Sequence, residues 1–368
     1  MDSIGVLYGD REVGILSAEP GRIRFHYAPG WLEDGFSISP VSLPLENRTF
    51  VPEENHFGGL FGVFADSLPD WWGTYVSSVA FTRNGRSYSE LGPLGKLASL
   101  GTDGLGALRY TPSDSGPRVQ TENNLDDICE ECMKLAEEDK SADIETVFQL
   151  AASTGGARLK IFRKFGDEEW MVKFKERNDP AWIGRAEYEY NLAANECGIE
   201  VPEVRLFPSE ICDGYFASKR FDRAGGKRVH MISLGGLLEI PRQLPLLDYV
   251  SFLQATGFIT KSQEEVVKAF RLACFNILSK NMDSHSKNFS YLYSEKEERY
   301  VLSPAYDLTR TVGMKEHEMT CMGKGNPGRK DLLALADEVR IPRNKAKDIL
   351  DTVENIVSDR LSEWLAMK

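Results

Sequence analysis

Asn281-Met282-Asp283-Ser284-His285-Ser286-Lys287-Asn288, followed by Pro304-Ala305-Tyr306-Asp307-Leu308, is the stretch on which the reading of this chain turns. Kinase-type phosphoryl transfer uses an Asp beside the incoming hydroxyl, an Asn five residues on that binds magnesium, and a later Asp on the metal bridging the phosphates. Asp283 and Asn288 have that offset, and Asp307 follows after room for one hairpin turning at residues 294–298. Phe275-Asn276-Ile277-Leu278 reads as a helix end and Phe289-Ser290-Tyr291-Leu292 as a strand, so a polar turn is pinned between two apolar elements. The two acids are expected at adjacent strand ends. An isolated D-x-x-x-x-N pair arises by chance in a chain of this size; the conjunction with Asp307 carries the weight.

Upstream segments supply matching parts. Ser153-Thr154-Gly155-Gly156-Ala157-Arg158-Leu159-Lys160 stands between a helix and a hairpin. Its adjacent glycines free backbone N–H groups to approach phosphate oxygens, and Arg158 and Lys160 add positive charge. It matches neither G-x-x-x-x-G-K-[ST] nor G-x-G-x-x-G, so taken alone it reads as an ordinary turn. Lys173 alternates with apolar neighbours on a strand, as a phosphate-reaching kinase lysine does, and Glu187 and Glu189 on the next helix are both available to pair with it. Without the downstream acids, Lys173 would read as an edge-strand lysine facing solvent. Lys219-Arg220-Phe221-Asp222-Arg223 ends the last strand before the helical half, where a connector's backbone could meet an adenine edge and Phe221 could offer its ring. The His285 ring is placed to hydrogen-bond a carboxylate or phosphate.

Composition narrows the alternatives. At 368 residues the chain is expected to form two or three domains, and 42% hydrophobic with 27% charged residues is ordinary for a globular protein. No apolar run approaches the ~20 residues that span a bilayer, and the first residues lack a basic-then-apolar signal, so the cytoplasm is the expected compartment and no membrane partner is expected. A formal net charge of -12 argues against an extended nucleic-acid surface. Among six cysteines only Cys129 and Cys132 are close, in an acidic helical stretch without a second Cys or His pair, so reduced structural thiols are expected. There is no H-E-x-x-H or G-x-S-x-G.

Residues 1–112 read as mainly β and turns, with a dense aromatic cluster from Phe57 to Tyr75 read as a packed helical insertion. Residues 112–124 are rich in Ser, Pro, Gly and Asn and mark a boundary, so 113–140 is taken as linker and helix. Strand periodicity then dominates 141–224 and helical periodicity 225–368.

These residues resemble the HipA family of serine/threonine kinases, the toxin component of HipBA-type toxin–antitoxin modules. The resemblance rests on 153–157, the Val172-Lys173 strand, 219–223, His230-Met-Ile-Ser-Leu-Gly-Gly-Leu-Leu238, 281–289 and 304–309, with Gly104-Leu-Gly-Ala-Leu108 and Ser39-Pro-Val-Ser-Leu-Pro44 in the first domain. It implies an α+β fold that is two-lobed and protein-kinase-like, with a β-rich small lobe, an α-helical large lobe and an added N-terminal small β domain. It implies ATP and Mg2+ as cofactors, with Asp283 as catalytic base, Asn288 and Asp307 as metal ligands, and Glu187 as the salt-bridge partner of Lys173. Gly155, Gly156, Ala157, Arg158, Lys160 and Lys173 would hold the phosphates, Lys219, Arg220 and Phe221 the adenine, and His285, Lys287 and Tyr306 would lie close by. Ser153 matches the family's autophosphorylated serine. The implied partners are a HipB-like DNA-binding antitoxin, which makes the DNA contacts, and a protein substrate such as an aminoacyl-tRNA synthetase. The alternative is a non-catalytic kinase-scaffold subunit that binds the antitoxin.

Overall fold

The computed structural model describes residues 1–100, 104–113, 123–244 and 247–367; most of the 112–124 boundary read from the sequence lies outside them. The described residues divide into two compact units. One comprises residues 1–184, 205–232 and 236–239; the other comprises 185–204, 233–235 and 240–368.

The first unit holds two sheets. Strands β1 (Ser3–Tyr8), β2 (Arg11–Glu19), β3 (Arg22–Tyr27), β4 (Thr49–Phe50) and β5 (Leu108–Thr111) form one, in the order β4-β3-β2-β1-β5. Strict alternation along β3 turns Ile23, Phe25 and Tyr27 inward, the period-two signature of a half-buried strand. Between β3 and β5 run four helices: α1 (Pro29–Asp34), α2 (Gly62–Ala65), α3 (Trp71–Arg83) and α4 (Pro93–Ser99). Helices α5 (Leu125–Ala136) and α6 (Ile144–Ala151) follow. The Asn124 side chain caps α5 by accepting from Asp127 N–H.

The second sheet contains β6 (Lys160–Phe165), β7 (Glu168–Lys173), β8 (Val204–Phe207) and β9 (Tyr215–Lys219) in the order β6-β7-β9-β8, and a short hairpin, β10 (Arg223–Ala224) with β11 (Lys227–Arg228), comes after it. One core joins this sheet to helices that precede it in the chain: Ile161, Trp170 and Val172 of the sheet pack with Ile128, Cys129 and Cys132 of α5, Val147 of α6, and Trp72 and Val76 of α3. The aromatic segment read as an insertion is therefore partly core of the second sheet. Burial pushes the Cys129 thiol up to about 11, so it stays protonated at neutral pH.

The second unit is helical. It contains α7 (Ile183–Glu196), α9 (Tyr249–Thr260), α10 (Gln263–Leu278), α11 (Arg329–Glu338), α12 (Arg343–Arg360) and α13 (Ser362–Ala366), plus a hairpin of β13 (Ser290–Ser294) and β14 (Arg299–Leu302). β12 (Met231–Ser233) and α8 (Leu234–Leu237) lie where the chain passes between the units. Ser262 caps α10, and Glu264 and Glu265 in its first turn suit the helix dipole. Phe270, Ala273 and Phe275 of α10 are buried, as are Phe252 of α9 and Phe289, whose rings lie 4.2 Å apart between centroids. Among the described residues no helix is long and apolar enough to cross a membrane.

Candidate functional site

In the helical unit the turn at 281–288 is built by its own neighbourhood. After α10 the backbone of Lys280 is left-handed (φ 57°), and Asn281 N–H donates back to Asn276 O at 2.9 Å, reversing the chain. The Thr311 hydroxyl accepts from both Met282 N–H (3.0 Å) and Asp283 N–H (3.1 Å), and Asn288 Nδ2 donates to Asp283 O at 2.8 Å. The Tyr249 hydroxyl donates to Ser284 Oγ at 3.0 Å, and His285 Nδ1 accepts from Lys287 N–H at 3.3 Å. These bonds fix the backbone and leave the Asp283 side chain 46% exposed.

Asp307 reaches the same neighbourhood. Its backbone is left-handed (φ 57°), a conformation Asp adopts more readily than most residues, and its carbonyl accepts from Asn281 Nδ2 at 3.3 Å. Tyr306, beside it, donates its hydroxyl to Lys287 O at 2.6 Å and lies 2.6 Å from Ser290 Oγ. Asp283, His285, Lys287, Asn288, Tyr306 and Asp307 are thus gathered in one unit. Two residues that the sequence reading did not single out flank them. The Arg242 guanidinium lies 3.4 Å from Asp283 Oδ1, and burial together with the adjacent Asp283 carboxylate pushes Glu318 up to about 7. On α7, Glu189 pairs with Arg360 at 3.2 Å, whereas Glu187 is buried.

The β-rich unit collects the other group. Lys173 ends β7, an interior strand between β6 and β9, so it is no edge residue; Lys160 is its cross-strand neighbour, and both are almost fully buried (6% and 4% exposed). The Lys173 ammonium lies 5.7 Å from the Phe216 ring centroid. Gly156 takes φ 82°, and a Cβ built on it would come 2.4 Å from Lys160 Nζ, so the turn lies directly against that ammonium. Ser153 and Thr154 are buried, Ala157 is exposed, and Arg158 is ion-paired with Asp179.

Lys219 is ion-paired with Glu168. Arg220 is buried, 2.7 Å from Asp222 Oδ2 and with its guanidinium 4.0 Å from the Phe162 ring centroid. Burial pushes the Asp222 carboxyl up, but Arg220 and Arg223 outweigh it and hold it well below the usual carboxylate range. Asp222 also accepts from Gly106 N–H at 2.8 Å, and Arg220, Arg223 and Arg228 all donate to Gly104 O. The Arg220 guanidinium is committed to this cluster, so residues 219–221 have backbone and the half-buried Phe221 to offer a base.

Family comparisons bear on both groups. The model of the HipA-like C-terminal domain matches residues 152–360, and that of the HipA N-terminal domain matches residues 4–111. The chain belongs to the HipA family. A Sinorhizobium fredii protein named "Putative kinase Y4dM" is 27% identical over 232 residues, 58% of this chain, which spans 56% of that relative. A chain of the Shewanella oneidensis MR-1 complex of HipA, HipB and operator DNA matches with a TM-score of 0.71 at 19% identity, over 99% of this chain and 91% of that one. The Helicobacter pylori proinflammatory kinase CtkA matches at 16% identity with a TM-score of 0.39, over 55% of this chain and 90% of that one. The expected α+β class, with β sheets and a helical part, is therefore the HipA fold. Every site residue read from the sequence falls within the HipA C-terminal match.

The residues not read from the sequence are Arg242, Thr311, Glu318 and Asp70. None has a local motif. Each acts through a partner at least 28 residues away in sequence.

Proposed function

We propose that the protein is an ATP- and Mg2+-dependent serine/threonine protein kinase acting as the toxin of a HipBA-type system. The observation that carries this is the turn at 281–288: a half-exposed Asp283 on a backbone fixed by Thr311 and Asn288, with the Asp307 backbone bonded to the start of the same turn through Asn281. Asp283 would orient and accept the proton of a substrate hydroxyl. Asn288 commits its amide nitrogen to Asp283 O, which leaves its amide oxygen, with the Asp307 carboxylate, as hard ligands for magnesium. A magnesium ion held by these two residues would take its remaining ligands from phosphates and water. When bound, the metal would offset charge on the phosphates.

In the β-rich unit, Gly155, Gly156, Ala157, Arg158, Lys160 and Lys173 would bind the phosphates and the 219–221 backbone the adenine. Burial of Glu187, with Glu189 engaged by Arg360, favours Glu187 as the partner of Lys173. His285, Lys287 and Tyr306 would shape the metal side of the site. Ser153 would be autophosphorylated; since it is buried, the loop must leave its position to expose it, and the added charge would oppose its return. A HipB-like antitoxin would supply the DNA contacts that a chain of net charge -12 does not favour, and the substrate would be a cytoplasmic translation component such as an aminoacyl-tRNA synthetase.

The test is phosphate transfer from labelled ATP to the protein itself and to lysate proteins. We expect Asp283→Asn to lower transfer by about 10²–10⁴-fold with an unchanged melting temperature. Transfer by the variant at the wild-type rate removes Asp283 as the base, and no transfer by the wild type favours the scaffold alternative.

A further inference from the structure

Asp70 occupies the N-cap position of α3, where an Asp normally accepts from its own helix's first N–H groups; here its side chain makes no such bond. Its Oδ2 accepts instead from Gly156 N–H, at 2.7 Å and 86 residues away. The first turn of the helix completes the grip. Trp72 N–H donates to Gly156 O at 3.4 Å, and the buried Trp72 indole N–H donates to Lys160 O at 3.1 Å. Gly73 lets the loop backbone come close, since a Cβ there would lie 2.9 Å from both Ala152 O and Thr154 O. Both polar backbone groups of Gly156 are thereby tied to the first turn of α3, and the same glycine lies against the Lys160 ammonium.

We propose that Asp70 is a positioning residue for nucleotide binding, holding the Gly155-Gly156 turn against Lys160 from within the HipA N-terminal region. The proposal rests on the kinase reading for the identity of the ligand, but its structural half does not. A carboxylate accepting a backbone N–H is among the stronger hydrogen bonds, and Asp70 makes this one to Gly156 in place of a side-chain cap on its own helix. The N-terminal region is then part of the nucleotide site through this contact, not an appendage to it.

The experiment uses the full chain with Asp70→Ala, Asp70→Asn and Gly73→Ala. Hydrogen exchange is followed in residues 152–159, with β6 and α5 as references, and KM for ATP and kcat are measured separately. Asp70→Ala should speed loop exchange by about tenfold and raise KM for ATP by a similar factor, with kcat within about threefold. Asn keeps an acceptor oxygen and should recover most of both. Gly73→Ala, favourable by helix propensity, should nevertheless loosen the loop, because its methyl meets two carbonyl oxygens. Unchanged loop exchange in Asp70→Ala, an Asn variant as impaired as Ala, or faster exchange shared equally by β6 and α5 would each overturn the proposal. If the wild type shows no ATP-dependent transfer, the kinase reading falls, and the exchange data still decide whether Asp70 clamps the loop.

Discussion

The turn at 281–288 and the loop at 153–160 are both short, polar and centred on backbone geometry, yet they are held in opposite ways. The turn is fixed by residues within it or a short distance downstream: Asn288 bonds Asp283 O, and Thr311 takes two N–H groups. The loop and its companion connector are fixed from far away, the loop by Asp70 and Trp72 and the connector by Gly104 and Gly106. A self-supporting turn carries its function as a motif. A loop held from elsewhere carries it only in three dimensions.

The comparison breaks most visibly at Asp222. Removing its charge leaves the buried Arg220 and the largely buried Arg223 with Glu169 as their remaining carboxylate, at 3.6 and 3.4 Å, and Asp222→Asn should cost about 3 kcal/mol of stability at pH 7. The sign with pH follows from a folded-state acidity held below the usual value. The stabilisation is complete above the unfolded-chain range near pH ~4 and is lost as pH falls through the folded value, so wild type and variant should converge in acid. Denaturant melts from pH 7 down to 3 should show the gap between them begin to close once the pH drops below about 4. A variant as stable as wild type at pH 7 would show that the connector does not depend on its distant anchors.

A smaller effect is expected in the self-supporting turn. Thr311→Val removes the acceptor for Met282 and Asp283 N–H while preserving shape, leaving two donors unmet at a cost of about 1–3 kcal/mol. Part of that cost should appear as roughly a tenfold loss in kcat, because the backbone being released carries Asp283. Loss of stability with unchanged kcat would show that the turn holds its shape without Thr311, and the contrast with the loop would sharpen further.

The same contrast sets what was legible in the sequence. The helix ending at Leu278 and the hairpin turning at 294–298 were readable because their periods and turn residues are local. Lys173 read alone would have been an edge lysine; its interior strand comes from pairing with β9, which no local pattern encodes. The aromatic run containing Trp72 was legible as core but not as whose core, since its partners lie on α5, α6 and the second sheet. Arg220 read as a charged connector residue. The cluster that holds it takes in an acid two residues on and the Gly104 carbonyl, 116 residues earlier.

Glu318 gives the smallest predicted effect and the finest test of how self-contained the turn is, because it bonds the turn through its own N–H to Met282 O at 2.9 Å and places its carboxyl beside Asp283. Burial and that neighbouring carboxylate push Glu318 up to about 7, so the folded state holds its proton more tightly than the unfolded chain does. Stability should therefore fall as pH rises from the unfolded value through 7, by less than about 1 kcal/mol once solvent screening of this partly exposed group is allowed for. Glu318→Gln keeps the shape and removes the titration, so it should abolish that slope while leaving the melt at pH 6 close to wild type. In the rate profile the wild type should bend near pH 7, where a second negative charge appears beside Asp283 with Arg242 as its counter-charge, and the Gln variant should lack the bend. A bend that persists in Gln would place the titrating group elsewhere and leave the turn's chemistry independent of Glu318.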